Sequence, residues 1–389
     1  MQDRKLVTNY LFDQYKDDLE YFYNELKKHP VFIRKPDVLK DFQAHYDSII
    51  QNKDCNTYEK LAECATDLTM FFQDGHTNIE LPYTENDEYI YLPCEWENNY
   101  SDKLLLVEGI QGISPGAEVI SIENLSIAEV IQQLEKIIPH ENRYWVKSRM
   151  IHHAYANYHM FSALNLHRLF GKKDSYKIEF CENGEVISRM LFLTKYKGNP
   201  TFRDEERPFY YEIVNGNIVV HIDACICDQR YLDFLQEVAI TCEEEHIQRM
   251  ILDLSKNGGG TTNVIEEFIA YTHTDKYIMY SVLDYSCGIE EVLADRHCEI
   301  VNEKKETLFP KDIQLKVGYD TFSSARTFAV TLIDNKIVTL MEGCSGGKPN
   351  SYGAPRRGVL PNSNMRYRVS TRLFLRPDTT KDRDECIKK

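Results

Sequence analysis

The sequence lacks any long apolar run. No stretch approaches the roughly 18 consecutive apolar residues that a membrane span requires. The first residues, Met1–Lys5, lead into an amphipathic pattern and not into the apolar core of a secretory signal. From the residues we therefore expect no membrane partner and no export.

Positive charge is also scarce. The 46 Lys and Arg residues are outnumbered by 61 Asp and Glu residues, which gives a formal net charge of −15. Such a charge repels phosphate backbones, so we expect no nucleic-acid partner. Apolar residues, in contrast, make up 42% of the chain, and this is enough to build folded cores.

Paired cysteine spacings are missing as well. Eleven cysteines are scattered from Cys55 to Cys386, a pattern typical of reduced thiols, and we expect a cytoplasmic protein. Cys225 and Cys227 form only a C-x-C, without a second pair at zinc-ribbon spacing. The chain also lacks the nucleotide-binding patterns G-x-x-x-x-G-K-[ST] and G-x-G-x-x-G. From these absences we expect neither a metal nor an organic cofactor.

Changes in periodicity divide the chain into three regions, and the predicted fold class is a multidomain α+β protein. Residues 1–85 predict a helical N-terminal domain, because apolar residues recur there every three or four positions. Residues 86–200 predict a small β-rich module with a capped helix at Ser126–Glu129, a following helical stretch over residues 141–170, and a hairpin turn at Asn183-Gly184. Residues 201–389 alternate strands and helices, which indicates a layered α/β domain.

A glycine-rich loop is the first candidate site. The buried strand predicted at Met250–Leu254 leads directly to Asn257–Gly260. Glycine lets backbone N–H groups turn toward a phosphate or an oxyanion without a Cβ in the way. An ordinary turn between a strand and a helix explains the loop equally well when it is taken alone.

A serine-containing turn, Thr321–Ala325, is the second candidate. It lies between a predicted strand that ends near Gly318 and an amphipathic helix. A hydroxyl at a helix N-terminus meets free N–H groups and a positive partial charge, and both favour a nucleophile and a developing oxyanion. Ser is also a common helix N-cap for geometric reasons alone.

The third candidate is Asp74–Thr77, directly after the last predicted N-terminal helix. The ordinary pKa of a histidine, about 6.5, suits His76 for general-base catalysis. Most single histidines are not catalytic. A second group lacks the H-E-x-x-H pattern, and we interpret its members, His152, His153, His159 and His167, as surface or packing residues.

The order of these motifs resembles that of the C-terminal-processing and tricorn-like serine peptidases. Their D-G-H-T, PDZ-like, L-D-L-R-x-N-x-G-G and T-x-S-S-A-E segments are matched by Asp74–Thr77, Gly112–Ile122, Leu252–Gly260 and Thr321–Arg326. Gly346-Gly347 and Tyr352-Gly353 extend the resemblance over nearly the whole chain. It implies a PDZ-like module in residues 86–200, a ClpP/crotonase-type domain in residues 201–389, and a peptide or protein substrate. A homo-oligomer is compatible with it.

By this resemblance, Ser323 is the nucleophile and His76 is the general base, as in the tricorn-like branch. The N–H of Ser324 and an N–H of Gly258 or Gly259 would form the oxyanion hole. The spacing from Ser323 to Lys348 resembles that of the Ser–Lys branch, so Lys348 is the alternative base. We favour His76, because that other branch normally lacks the G-H-T sequence.

Two departures leave an alternative function open. Arg326 replaces the Glu of S-S-A-E, and the closing G-I-x-P-D motif is missing. Glu385 stands near the position of the third catalytic residue, with Asp382 and Asp384 as substitutes, although an exposed tail charge explains it too. The resemblance implies a serine endopeptidase that forms an acyl-enzyme. The alternatives are a catalytically inactive peptide-binding protein on the same scaffold and an acyl-CoA enzyme of the crotonase type.

Overall fold

The computed structural model describes residues 2–80, 88–98, 100–150, 160–195 and 208–387, and the side chains of all of these except 2–13, 160–164 and 195. The fold is mixed α+β, as predicted. The helices are α1 (Gln2–Leu26), α2 (Pro30–Arg34), α3 (Val38–Asn52), α4 (Tyr58–Met70), α5 (Ile127–Leu134), α6 (Arg143–Met150), α7 (Ala163–Phe170), α8 (Gln229–Glu244), α9 (Val264–Ile269) and α10 (Ser324–Asp334). No helix in these ranges combines the length and the apolar character that crossing a membrane would require.

The strands before residue 223 are β1 (Asn78–Glu80), β2 (Glu88–Tyr91), β3 (Cys94–Trp96), β4 (Leu104–Leu106), β5 (Glu118–Ile122), β6 (Leu125–Ser126), β7 (Met160–Ser162), β8 (Ser175–Glu182), β9 (Glu185–Phe192), β10 (Thr194–Lys195), β11 (Phe209–Val214) and β12 (Asn217–Ile222). Those after it are β13 (Arg249–Asp253), β14 (Lys276–Ile278), β15 (Ser281–Asp284), β16 (Glu291–Ala294), β17 (Glu299–Val301), β18 (Asp312–Lys316), β19 (Thr339–Glu342), β20 (Ser351–Gly353), β21 (Arg356–Val359), β22 (Arg366–Val369) and β23 (Arg372–Leu375).

The N-terminal helices share their core with a hairpin from the far end of the chain. Apolar residues of α1, α3 and α4 pack around Phe42 and Leu61, and the hairpin β21–β22 adds Leu360 and Tyr367 to the same core. Strand β22 also pairs with β1. This contact was not predicted, because nothing local in the hairpin sequence indicates its partner.

The middle region is an antiparallel sheet in the order β3-β4-β5-β8-β9, with α5 packed on it. Ser126 and Glu129 form the predicted capping box at the start of α5. Asn183 and Gly184 both have positive φ and join β8 to β9, so the predicted hairpin is confirmed.

One part of the middle region differs from prediction. Residues 141–170 were expected to be helical, and α6 and α7 lie there, but Met160–Ser162 forms a strand that pairs with β2. Three of the histidines, His152, His153 and His159, lie outside the described residues. The fourth, His167, is hydrogen-bonded through Nδ1 to the Tyr176 hydroxyl at 2.6 Å.

The third region is built on a sheet in the order β11-β12-β13-β18-β19, parallel except for β11. Because β13 and β18 are parallel neighbours, the glycine loop after β13 and the serine turn after β18 leave the sheet at the same edge. Two smaller antiparallel sheets, β16-β15-β23-β20 and β14-β17, were not predicted. All eleven cysteines are free thiols.

Candidate active site

Ser323 lies in the turn that joins β18 to α10. Its backbone has φ 54° and ψ −127°, a left-handed conformation that is uncommon for residues other than glycine. The turn is fixed on both sides, because Thr321 Oγ1 donates to the Leu254 carbonyl at 2.7 Å and the Phe322 N–H donates to the Asn257 carbonyl at 3.1 Å. Such strain costs about 1–3 kcal/mol and is concentrated at functional residues.

The glycine loop contacts this turn directly. Gly259 has φ +107°, and a Cβ on it would come within 2.7 Å of Ser323 Cβ. The Gly259 N–H donates to Asn257 Oδ1 at 2.8 Å, and Ser324 Oγ donates to the Gly260 carbonyl at 2.6 Å. The structure therefore brings the predicted loop and the predicted nucleophile together, with the Gly259 amide already engaged.

A buried aspartate holds the turn that carries His76. Asp74 Oδ1 accepts the His76 N–H at 2.9 Å, and Oδ2 accepts the hydroxyls of Thr77 and Ser370, both at 2.6 Å. The Nδ1 of His29 accepts a backbone N–H at the start of α2, so its Nε2 donates to Asp74 Oδ2 at 3.3 Å. Burial raises the pKa of Asp74, but the attraction of the His29 and His76 side chains outweighs burial and holds this pKa well below its usual value. Asp74 is thus ionised and fixed.

Two carboxylates face one edge of the His76 ring. Its Nδ1 lies 3.6 Å from Asp74 Oδ1 and 3.7 Å from Glu141 Oε1. Burial lowers the pKa of His76, but the attraction of Asp74 and Glu141 outweighs it and raises this pKa above its usual value. The imidazole is stacked on Phe322, with 4.4 Å between the ring centroids. Neither ring nitrogen is hydrogen-bonded within the described parts of the chain, so His76 lies beside the serine turn without bonding to Ser323.

Glu141 is held by Arg326, the residue that replaces the motif glutamate. Arg326 Nη1 lies 2.9 Å from Glu141 Oε2 in a buried ion pair, and the same oxygen accepts the Lys348 N–H at 2.8 Å. Arg326 also donates to the Ser351 hydroxyl. A Cβ on Gly347 would lie 2.6 Å from Arg326 and 2.8 Å from Glu141, so glycine leaves room for the pair. Arg326, which departs from the family motif, is therefore paired with a residue of opposite charge, Glu141, from the middle of the chain.

Glu385, the residue predicted to orient the base, lies in an exposed ion pair. Glu385 Oε2 pairs with Lys348 Nζ at 2.6 Å, and the Glu385 side chain is 70% exposed. The carboxylates beside His76 are instead Asp74 and Glu141. Both substitutes are also engaged elsewhere, in the ion pairs Asp382–Arg296 at 2.6 Å and Asp384–Arg376 at 2.8 Å.

The same cluster offers a set of atoms that a divalent cation could use. Nitrogen and oxygen atoms of Asp74, His76 and Glu141 lie within 4.8 Å of one another. Two features oppose a metal there. The Asp74 oxygens already accept four hydrogen bonds, and the Arg326 guanidinium beside Glu141 repels a cation. We interpret the cluster as a histidine with two orienting carboxylates.

Sequence reasoning missed Glu141 and the stacking of Phe322 on His76. The one available signal for Glu141 was Arg326, because an arginine in place of an acidic residue on a buried helix face requires a negative partner. The sequence did not indicate which carboxylate this would be.

Residues 219–382 match the model of Peptidase family S41. No curated protein matches the chain. Among solved structures, mature CPAF complexed with lactacystin is 12% identical with a TM-score of 0.65, over 94% of this chain and 91% of that one. A second structure of mature CPAF is 12% identical with a TM-score of 0.63, over 94% of this chain and 90% of that one. The chain therefore shares its fold with CPAF over nearly its whole length.

Proposed function

We propose that this protein is a serine endopeptidase that cleaves peptides or unfolded protein tails through an acyl-enzyme. The observation that carries the proposal is the strained Ser323 at the start of α10, next to the residue on which His76 is stacked. The match of residues 219–382 to a peptidase family supports it. His76 and Ser323 come from distant parts of the chain and lie close together, and a serine that only capped a helix would not need a neighbouring histidine.

In the proposed reaction, Ser323 Oγ attacks the scissile carbonyl carbon and passes its proton to His76 Nε2. Nε2 is the nitrogen for this step, because Nδ1 faces Asp74 and Glu141. The two carboxylates stabilise the imidazolium, which then protonates the leaving amine. Water hydrolyses the acyl ester by the same proton route. The bond between Ser323 and His76 forms when substrate binds, since such bonds often tighten only in the complex.

Two backbone amides would stabilise the oxyanion. The Ser324 N–H belongs to the first turn of α10, where backbone N–H groups have no partner within the helix. The Gly259 N–H is bonded to Asn257, so we assign the second donor to Gly258, which is half-buried in the same loop. Removal of one such donor typically costs about 10²–10³ in kcat.

We assign the base to His76 and not to Lys348, whose ammonium is paired with Glu385. We assign the orienting role first predicted for Glu385 to Glu141, together with Asp74. For the substrate, a PDZ-like module binds extended peptides by adding them to a sheet edge. The sheet of the middle region ends at β9, which would serve as such an edge.

A fluorophosphonate probe tests the proposal, because it reacts only with an activated serine. The wild type should be labelled and should cleave an unfolded protein, whereas Ser323→Ala should do neither. Ser286→Ala is the matched control, since Ser286 lies in a turn of a different sheet. A folded wild type that is neither labelled nor active, but binds peptides, would favour the inactive peptide-binding alternative.

A further inference from the structure

Four side chains from three segments of the chain form one continuous stack in the site. The ring of Phe322 lies between His76, at 4.4 Å between centroids, and Trp145, at 3.8 Å. The interplanar angles are 23° and 18°, so Phe322 is nearly parallel to each of the two rings. The guanidinium of Arg149 covers the Trp145 ring at 3.9 Å. We call the rings of His76, Phe322 and Trp145 the aromatic stack.

Glycines make room for the aromatic stack. A Cβ on Gly75, in the D-G-H-T motif, would lie 2.9 Å from Trp145 Nε1 and 3.0 Å from Phe322 Cζ. A Cβ on Gly346 would lie 3.2 Å from Trp145 Cε3 and 2.0 Å from the Tyr319 carbonyl oxygen. A side chain at either position would displace the rings, so these motif glycines are matched to the stack.

The stack is not an extension of a hydrophobic core. Phe322 and Trp145 are 5% and 7% exposed, yet neither belongs to the three apolar cores found in the described residues. They lie where the helix after Glu141 meets the serine turn. The two rings therefore pack against each other and against His76, at the boundary between the middle region and the serine turn.

We propose that Phe322 and Trp145 are positioning residues for His76 in the peptidase reaction, an inference that rests on the proposed function. Stacking fixes the plane of the imidazole, and Asp74 and Glu141 determine which edge of the ring faces them. The two constraints together define the position of Nε2. Phe322 directly precedes Ser323 in the chain. Stacking on Phe322 therefore also fixes the position of the imidazole plane relative to the nucleophile.

The stack also favours the form of His76 that the reaction creates. When His76 accepts the serine proton it becomes a cation, and a cation over the face of an aromatic ring is stabilised by the ring quadrupole. Phe322 presents its face to the imidazole. An aliphatic side chain of similar size would fill the space without this attraction.

The experiment compares Phe322→Leu, Phe322→Tyr and Phe328→Leu. Phe328 is a buried core residue on the same helix and controls for loss of packing. We expect Phe322→Leu to lower kcat about 10²-fold with little change in KM, because misplacement of a catalytic group by about 1 Å costs that much. Phe322→Tyr should restore most of the activity, and Phe328→Leu should lose stability but keep kcat. Trp145→Leu should act in the same direction as Phe322→Leu, but less.

Titration of the His76 ring by NMR gives a readout that does not need activity. We expect its midpoint to fall in Phe322→Leu and to stay near the wild-type value in Phe328→Leu, since only the first removes the aromatic face. A folded Phe322→Leu variant with unchanged kcat and unchanged His76 titration would overturn the inference. If the wild type has no peptidase activity, the proposed function fails, and the titration still decides whether the stack acts on His76.

Discussion

The substitution Glu141→Gln tests whether this carboxylate acts on His76. It removes one negative charge at nearly constant volume. Glu141 Oε1 lies 3.7 Å from His76 Nδ1, and unit charges about 4 Å apart interact by about 4 kcal/mol at an effective dielectric constant of about 20. Arg326 cancels part of this field, because it lies 2.9 Å from the other oxygen. We therefore expect His76 to lose about 1–2 kcal/mol of preference for its protonated form, or roughly tenfold in proton affinity.

Removal of the Glu141 charge should shift the pH profile of kcat/KM in a defined direction. The base must be neutral, so kcat/KM rises with pH through the pKa of His76, which the two carboxylates hold above its usual value. In Glu141→Gln this acidic limb should move to lower pH by about one unit. The plateau should fall roughly tenfold, because the imidazolium of the transition state loses the same stabilisation. The two profiles should therefore approach each other at low pH.

The measurement is kcat/KM, or the rate of fluorophosphonate inactivation, from about pH 5 to about pH 9. Glu385→Gln is the matched control, since it removes an exposed carboxylate that pairs with Lys348. Glu141→Gln leaves Arg326 buried without its partner, which costs about 3–5 kcal/mol of stability. Thermal unfolding is measured in parallel, and the double variant with Arg326→Met should recover much of that loss. An acidic limb that stays in place or moves to higher pH in the folded variant would refute the role of Glu141.

Three further predictions concern the other site residues. Ser323→Gly should abolish turnover, and it should raise the free energy of unfolding by about 1 kcal/mol because glycine adopts the left-handed backbone without strain. Denaturant titration measures this, and a destabilised variant would argue against strain at Ser323. Gly259→Ala should lower kcat at least about 10²-fold, since its Cβ would come within 2.7 Å of Ser323 Cβ. Unchanged kinetics in this variant would show that the glycine loop does not restrain the nucleophile. His76→Ala should lower kcat/KM at least about 10³-fold. Lys348→Ala and Glu385→Ala should each lower it less than about threefold, because an exposed ion pair such as Lys348–Glu385 contributes only about 0–1 kcal/mol. The opposite ranking would assign the base to Lys348.

The sequence by itself determined the features that depend on neighbouring residues. The capping box at Ser126 and Glu129 and the turn at Asn183-Gly184 both form as predicted. The strand β13, the glycine loop and the helix that starts after Ser323 also lie where the pattern indicated. Each of these is specified by backbone conformation and hydrogen bonding within a few residues, and that information is present in a short stretch of sequence.

Only the tertiary structure decided which side chains surround His76. An ion pair such as Glu141–Arg326 leaves no periodic signal, because either charge could pair with many others or face solvent. The same holds for the place of Phe322 against the imidazole and for Glu385, whose position near the C-terminus predicted a catalytic role but whose partner is Lys348. These contacts depend on how the middle region and the chain end pack against the parallel sheet. The sequence named the candidate nucleophile and base, and the packing of distant segments determined the groups that orient them.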